Sequence, residues 1–212
     1  VDTTNDVLDG DATSISTLLA NKGADGFISL REAVIASNNT SGSDTLNLAA
    51  GTYTLTIAGA GEDGSAIGDL DIQTNITITG AGMASTIISG GGVDRPIEVD
   101  GSGNLTLADV RLTGGSVNND GGGLLVEEAG GTATLTRVDV TGNAITGGGR
   151  IGGGIHNVGT LVMTDSLVHG NTAAGSDGGG VSNLGSATIT RSSIYSNTAR
   201  YGGGIHQLAG AM

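Results

Sequence analysis

Short stretches in which apolar and polar residues alternate run through most of this chain, from about residue 45 onward. Leu105-Thr106-Leu107 and Thr134-Leu135-Thr136 are examples in which every second side chain is apolar. A period of two over such short runs is typical of strands with one buried face, and the spacing of an amphipathic helix does not fit it. The alternation therefore predicts a protein built from many short strands.

Two sequence motifs recur along the strand-rich part of the chain. One is a glycine triplet followed by an apolar residue, and the other is an alternating strand that ends at glycine or asparagine. The triplets begin at Gly121, Gly152, Gly178 and Gly202. The strand motifs end at Gly115, Asn143, Asn171 and Asn197. Self-similarity at such a spacing is typical of solenoids, in which each repeat stacks on the next.

Each repeat can supply three short strands that turn at glycine and asparagine, because both residues tolerate a positive φ. Repeats coiled in this way predict an all-β fold, a right-handed parallel β-helix of about six coils with rungs about 4.8 Å apart. The asparagines at the ends of the strand motifs are expected to stack as a ladder inside one corner of the coil. The coils are expected to occupy residues 44–212.

Residues 1–43 lack the repeat and predict an N-terminal cap. Ser29-Leu30-Arg31-Glu32 is a capping-box pattern that opens a short capping helix over about 29–37, and a shorter helical turn is expected at Ile15–Ala20. Such a helix would cover the apolar end of the first coil. At the other end, Leu208–Met212 leaves the last coil incomplete, and an open parallel edge predicts end-to-end self-association.

A resemblance to a known family is carried by the cap and the coils that follow it. Phe27–Asn39, with Asp44–Leu48 and Gly51–Leu55, resembles the CSLREA-type cap that precedes right-handed parallel β-helices of the pectin-lyase-like superfamily in bacterial surface proteins. The glycine-triplet coils are similar to those of polymorphic outer-membrane and autotransporter-like passengers. The eponymous cysteine is replaced here by Ile28, so any role of that thiol is absent.

This resemblance implies an extracellular or cell-surface scaffold of bacterial type and only weakly implies an activity. On this basis the chain is expected to be the structural or adhesive shaft of a larger surface or secreted protein, without catalysis. Its ligand would be a polysaccharide or a protein, held by loops that project from the stack. The loops expected to do so are Ala58–Gly68, Ser116–Asp120 and Ile145–Ile151.

Composition narrows the possible partners. The formal net charge is −13, so nucleic acid and anionic lipid would be repelled, whereas calcium would be attracted. The 212-residue chain has no cysteine and therefore neither disulfides nor thiolate metal sites. No apolar run approaches the roughly 20 residues that span a bilayer, so membrane insertion is not expected.

One stretch of the cap is similar to a calcium-binding loop. Asn21, Asp25, Ser29 and Glu32 fall at EF-hand ligand positions, and Gly26 falls at the invariant glycine. These four residues are the predicted site of a structural Ca²⁺, and no other cofactor is expected. Glu32 has a competing role in the capping box. A second acidic run is a weaker candidate and consists of Asp2, Asp6, Asp9 and Asp11.

The carboxylates of the coils are predicted to be structural. When the repeats are stacked in register, one column of side chains alternates in charge and consists of Asp109, Arg137, Asp165 and Arg191. In a neighbouring column, Arg111 faces Asp139. Cross-rung pairing would use these acids and remove them from a catalytic role. His156 and His206 belong to coils two apart, which is too far for a shared zinc.

Two alternatives to a scaffold stay open. One is a carbohydrate-active β-helix that cleaves acidic polysaccharides, for which the nearest ligand patch is His169 beside Tyr195, with Tyr201 nearby. The chain has only four aromatic residues, three tyrosines and one phenylalanine, so stacking platforms for sugars are scarce. The other is an ice-binding solenoid with an outward threonine array. Its members are Thr77, Thr79, Thr106, Thr134, Thr136, Thr164, Thr188 and Thr190, interrupted at Ala108 and Val162.

Overall fold

A computed structural model of the chain describes residues 1–59, 61–128 and 130–208. In chain order the elements are α1 (Ile15–Ala20), α2 (Leu30–Asn38), β1 (Ser43–Asn47), β2 (Gly51–Thr54), β3 (Leu70–Ile72), β4 (Asn75–Thr79), β5 (Thr86–Ser89), β6 (Ile97–Val99), β7 (Asn104–Thr113), β8 (Ser116–Val117), β9 (Leu124–Val126), β10 (Thr132–Thr141), β11 (Ala144–Ile145), β12 (Ile155–Asn157), β13 (Thr160–Thr164), β14 (Leu167–His169), β15 (Thr172–Asp177), β16 (Val181–Asn183), β17 (Ser186–Thr190), β18 (Ser193–Tyr195), β19 (Thr198–Tyr201) and β20 (Ile205–Gln207).

The strands form three sheets in which every pairing is parallel. The first sheet runs β1-β4-β7-β10-β13-β17, with the shorter β2, β5, β14 and β18 attached to it. The second sheet runs β3-β6-β9-β12-β16-β20, and the third runs β8-β11-β15-β19. Successive turns of the chain contribute neighbouring strands to each sheet, so the molecule is a parallel β-solenoid of about six turns, as the repeats predict.

The core is a column of aliphatic side chains enclosed by the sheets. In β4, β7 and β10 the apolar residues of the alternating pattern are fully buried, among them Ile76, Ile78, Leu105, Leu107 and Leu135. The polar residues between them face outward. Because the parallel register places like residues above one another, each apolar residue packs on its equivalent in the next turn.

The glycine triplets shape the approach to the second sheet. Gly152 and Gly178 have φ of 82° and 70°, and a Cβ on either would lie 2.8 and 2.7 Å from the Cβ atoms of His156 and Ser182 respectively. A side chain at the first triplet position would therefore be strained and also collide with the residue four positions later. The triplet allows the chain to fold tightly over the middle residue of the strand that follows it. These middle residues, such as His156 and Ser182, are therefore buried although they point away from the core.

The predicted asparagine ladder is confirmed. Asn143 Nδ2 donates to Asn171 Oδ1, and Asn171 Nδ2 donates to Asn197 Oδ1, both at 3.0 Å. The same side-chain oxygens also accept the backbone N–H of the asparagine one turn below, so corner backbone groups are satisfied internally. A second ladder, which was not predicted, links Asn157 Nδ2 to Asn183 Oδ1 at 2.6 Å.

The N-terminal segment places helix α2 against the first turn. Its N-cap is Ser29 and it begins one residue later than the sequence indicated, with a complete capping box formed by Ser29 and Glu32. Leu30 and Val34 are buried in the same apolar cluster as Leu46 of β1. Helix α1 has the predicted bounds and is capped by Ser14.

Two of the predicted projecting loops are partly strand. Ser116–Val117 and Ala144–Ile145 are the paired strands β8 and β11, because their apolar residues stack with Ala173 in a small second cluster. The segment that begins at Ala58 is folded back onto the stack: Gly68 N donates to Ile57 O at 2.8 Å. The predicted incomplete last coil lies partly outside the described residues, which stop at Leu208 in that part of the chain.

Candidate functional site

The predicted calcium residues of the cap all make hydrogen bonds to backbone groups. Glu32 is fully buried; its Oε1 accepts from the N–H groups of Asp9 (2.9 Å) and Gly10 (2.7 Å), and its Oε2 accepts from Ser29 N (2.9 Å). Asp25 Oδ1 accepts from Phe27 N at 2.8 Å. A calcium ion would have to compete with these donors for the Glu32 oxygens.

The other two predicted ligands are also engaged. Ser29 Oγ donates to Val7 O at 2.7 Å and caps α2, and Asn21 Oδ1 accepts from Gly23 N at 3.4 Å. Calcium binding by Asn21, Asp25, Ser29 and Glu32 stays a prediction. A calorimetric calcium titration of the wild type and of Glu32→Gln tests it, since only binding at the cap is lost in the variant.

The acidic N-terminal run has its own partners. Asp2 pairs with Lys22 at 2.6 Å, and Asp9 Oδ2 accepts the N–H groups of Ala24 and Asp25. Asp11 accepts from Thr13, and Asp6 forms a buried pair with Arg31. The four carboxylates therefore engage four different parts of the cap.

A cavity of about 370 Å³ lies beside the second and third turns of the stack, and the sequence analysis did not predict it. Its wall includes six carboxylates and two arginines. These are Glu62, Asp63, Asp69, Asp94, Glu98, Glu127, Arg95 and Arg150. Asp69, Asp94, Arg95 and Glu98 are each less than a tenth exposed, so the inner wall is both buried and highly charged.

Arg95 is the centre of this inner wall. Its Nη1 donates to Asp69 Oδ2 at 2.8 Å and to Glu98 Oε2, and its Nε donates to Gly121 O at 3.3 Å. Behind it, carboxylate oxygens of Asp69, Asp71 and Glu98 lie within 4.8 Å of one another. One arginine cannot balance so many carboxylates, so some of them are expected to hold protons at neutral pH.

The pKa values follow from this crowding. Burial raises the pKa of Asp71 to about 8, and the neighbouring Asp69 adds to the rise. Burial also raises the pKa of Glu98 to about 9, although Arg95 opposes the change. The pKa of Asp94 is raised by burial and by Asp69. Glu98 lines the cavity as a carboxyl group that is mostly protonated at neutral pH, which is the state a general acid requires.

Neighbouring backbone holds the cluster in place. Asp71 Oδ2 accepts from Ser65 N at 2.6 Å, and Ser65 Oγ accepts from Asp71 N at 2.7 Å. Arg31 of α2 donates to the carbonyl groups of Ser65 and Gly68 at 2.7 and 2.8 Å. The cap helix therefore anchors the loop that carries one side of the cavity.

Sequence reasoning missed this cluster because its members lie in the turns before the clear repeats begin. Asp71 and Glu98 are the middle residues of β3 and β6, paired directly in register, and the same column continues through Leu125 to His156. An alignment of these two strands to the later glycine-triplet strands would have placed two acids on adjacent rungs. The burial of these two acids depends on segments distant in sequence that cover them, and no local sequence pattern indicates it.

The predicted cross-rung pairs are confirmed. Arg137 binds Asp109 through two hydrogen bonds of 2.6 Å, Arg191 binds Asp165 through two of 2.7 Å, and Arg111 Nε lies 2.9 Å from Asp139 Oδ2. All four residues of the alternating column have positive φ, between 47° and 59°. They form a corner of the coil, and their pairing holds an unusual backbone conformation in place.

The histidines occupy the rungs that the sequence indicated. His169 stacks on Tyr195 with ring centroids 4.8 Å apart, and its Nε2 lies 3.0 Å from Asp139 Oδ1. His156 and His206 are separated by Ser182 in the same column. Burial lowers the pKa of His156, so this ring is neutral near pH 7.

Comparison with protein-family models, with curated proteins and with solved structures found no match to this chain. The three parallel sheets define the class of protein as a parallel β-solenoid. The resemblance to capped surface β-helices rests on the motif residues alone. Among the described residues, neither helix is long and apolar enough to cross a membrane.

Proposed function

We propose that the chain is a non-catalytic β-helical shaft or passenger of a bacterial surface or secreted protein. The observation that supports this most directly is the set of contacts that join one turn to the next. Asn143 and Asn171 bond to the turn above, and the outward acids Asp109 and Asp165 pair with arginines one turn away. Such contacts resist bending and sliding between turns, which is what a spacer requires.

The stiffness can be measured directly, because the chain has no cysteine and accepts site-specific labels. Ser43 and Ser186 lie in one outward column, five rungs apart. Nitroxides on Ser43→Cys and Ser186→Cys should give a narrow distance distribution centred near about 24 Å, widened only by the labels. A pair two rungs apart, Ser43→Cys with Asn104→Cys, is the control. A broad distribution for the longer pair alone would contradict a stiff shaft.

The adhesive part of the proposal concerns an extracellular polysaccharide or protein ligand. Beads that carry the full chain should be retained on a surface bearing that ligand and should leave it chemically unchanged. The segment 61–68 borders the charged cavity and is the first loop to vary, with half-buried Glu62 and exposed Asp63 replaced by glutamine and asparagine. Equal retention in that variant would direct the search to another face.

A second function is favoured by the cavity itself. A protonated carboxyl group, Glu98, and a second carboxyl group, Asp69, face the same cavity, and glycoside hydrolysis uses one acid to protonate the leaving oxygen and another as base or nucleophile. Here Glu98 is the candidate acid and Asp69 the candidate base or nucleophile, with Arg95 holding both in position. Burial raises the pKa of Asp69 as well, and Arg95 opposes that rise and favours the ionised form that a base requires. This is the carbohydrate-active alternative, now assigned to particular residues.

Activity assays separate the two proposals. The chain is incubated with acidic and neutral polysaccharides while new reducing ends and unsaturated products are measured. The shaft proposal expects no product. Product formation that falls at least tenfold in Glu98→Gln and in Asp69→Asn, but not in the exposed control Glu128→Gln, would replace it with the enzymatic one.

A further inference from the structure

The outward face of the first sheet repeats in two dimensions. Its central column consists of Thr45, Thr77, Thr106, Thr134, Val162 and Thr188. A second column consists of Asn47, Thr79, Ala108, Thr136, Thr164 and Thr190, and a third of Ser43, Asn75, Asn104, Thr132, Thr160 and Ser186. We call these three columns the threonine face. It extends the predicted array by a complete column and by one rung.

The register makes this face regular. The five pairings that join its six strands proceed without a bulge through all three columns. Neighbouring side chains are therefore about 4.8 Å apart along the solenoid axis and about 6.6 Å apart, two residues, along a strand. Threonine is stiff at χ1, so its hydroxyl and methyl groups keep similar positions from rung to rung. The inward neighbours, such as Leu107 and Leu135, are fully buried and fix the backbone beneath.

The face is also neutral, and most of its residues are threonines. None of its residues is charged, although the chain as a whole carries a formal charge of −13 and other outward columns carry arginine and aspartate. In the described part of the chain, the hydroxyl groups of its threonines make no hydrogen bond to another protein group. They are free to bond to water. Exposed strands commonly carry threonine, but strand propensity alone does not exclude lysine and glutamate from every position.

These properties decide among possible occupants. A polyanion or polycation would gain nothing from a neutral face. A crystalline polysaccharide would be neutral and periodic, but sugar rings are held largely by aromatic platforms, and none of the chain's aromatic residues lies in the three columns. An ordered water lattice needs only hydroxyl groups to bond to and small methyl groups to enclose, repeated at a spacing of a few ångströms.

We propose that the threonine face binds ice, so that the shaft has an ice-binding side in addition to its role as a spacer. Regularly placed hydroxyl groups bond to surface waters of the crystal, while methyl groups occupy the gaps between them. Binding requires no change of shape, because the parallel register already holds the side chains in place. The face spans all six strands, so many weak contacts act together.

The test is ice recrystallisation inhibition by the full chain, together with uptake of fluorescently labelled protein into a growing ice crystal. The wild type should do both. Thr134→Arg, at the centre of the face, should reduce inhibition at least tenfold, because a long charged side chain holds the crystal away. The matched control is Thr198→Arg, an exposed position on β19 of the third sheet, and it should inhibit as the wild type does.

A gain-of-function variant tests whether the loss of inhibition in Thr134→Arg could come from misfolding. Val162→Thr completes the central column and should raise inhibition above the wild-type level, while circular dichroism and the melting temperature stay the same. Absence of inhibition in the wild type, or equal inhibition by Thr134→Arg and Thr198→Arg, would overturn the proposal. Binding to insoluble cellulose or chitin without binding to ice would overturn it in favour of a glycan surface.

Discussion

Individual glycines and asparagines hold the corners of this solenoid through backbone conformations and hydrogen bonds that other residues cannot reproduce. The first glycine of a triplet combines a positive φ with close contact to the residue four positions later. Asn143 and Asn171 satisfy backbone groups of the turn below: Asn143 Oδ1 accepts from Gly115 N, and Asn171 Nδ2 donates to Val140 O. The repeat is therefore visible in the sequence because the same backbone problem recurs in each turn.

Replacement of a triplet glycine tests this account. Gly178→Ala should destabilise the fold by about 1–2 kcal/mol from the left-handed backbone alone, and by more because the new methyl group meets Ser182. Gly148→Ala is the control, since an added Cβ there has open space and its φ is not positive. Urea unfolding measures both. Equal midpoints for the two variants would contradict the account.

The carboxyl cluster predicts an unusual dependence of stability on pH. Because the pKa of Glu98 is raised to about 9 in the folded state, the folded protein binds more protons than the unfolded chain above pH about 4. This group's contribution is fully present at low pH and is lost as pH rises towards about 9. Asp71 acts in the same direction, with its folded pKa at about 8.

Glu98→Gln should therefore flatten the fall in the free energy of unfolding between pH 5 and pH 8. Urea midpoints of wild type and variant at the two pH values give the comparison, with exposed Glu128→Gln as control. If the variant and the wild type lose stability in parallel over this range, the cluster does not hold the proton assigned to Glu98.

At the scale of elements, helix α2 is joined to the solenoid by a buried ion pair as well as by apolar contacts. Arg31 is fully buried and donates to both oxygens of Asp6, at 2.7 and 3.1 Å, and to three carbonyl groups of the segment 65–69. Burial alone would raise the pKa of Asp6, but hydrogen bonds from Arg31 and from Ile57 N outweigh it and lower the pKa. One side chain thus links the N-terminal tail, the cap helix and the loop beside the cavity.

Removing this arginine should be costly. Arg31→Met leaves the Asp6 carboxylate and several carbonyl groups buried without their partner, and we expect a loss of about 3–5 kcal/mol in the free energy of unfolding. Arg137→Met, in the exposed pair with Asp109, should change stability little. Chemical denaturation at pH 7 measures both variants, and a small loss for Arg31→Met would show that the link is dispensable.

At the scale of the whole molecule, the solenoid is a one-dimensional stack whose ends need protection. The cap covers the apolar end of the first turn, where Leu46 and Leu48 are buried in the same cluster as Leu30 and Val34. A chain without this cover would present apolar surface and an unpaired strand edge together.

Truncation of residues 1–38 should therefore cause self-association. Light scattering over a range of concentrations should show larger species for the truncated chain than for the full chain, in which only the C-terminal end is open to association. Growth of the full chain to the same extent would mean that the cap does not protect this end.

Much of the fold follows from the sequence because each turn repeats the same local patterns of strand and corner residues. Alternation at 105–107 and 134–136 predicts strands, glycine triplets and asparagines predict corners, and the fixed repeat predicts a parallel register. That register then places Asp109 beside Arg137, and His169 beside Tyr195, without further information. The capping box likewise specifies α2, because its hydrogen bonds are local.

The charged cavity was decided only by tertiary structure. Asp71 and Glu98 have ordinary neighbours in sequence. Their raised pKa values come from burial and from the charge of the nearby Asp69. Part of the chain that buries Asp71 is the irregular segment around Ser65, which does not repeat. Periodicity reports contacts between equivalent positions of successive turns. It carries no information about how an irregular loop folds over the stack, because that depends on a single set of long-range contacts such as those of Arg31.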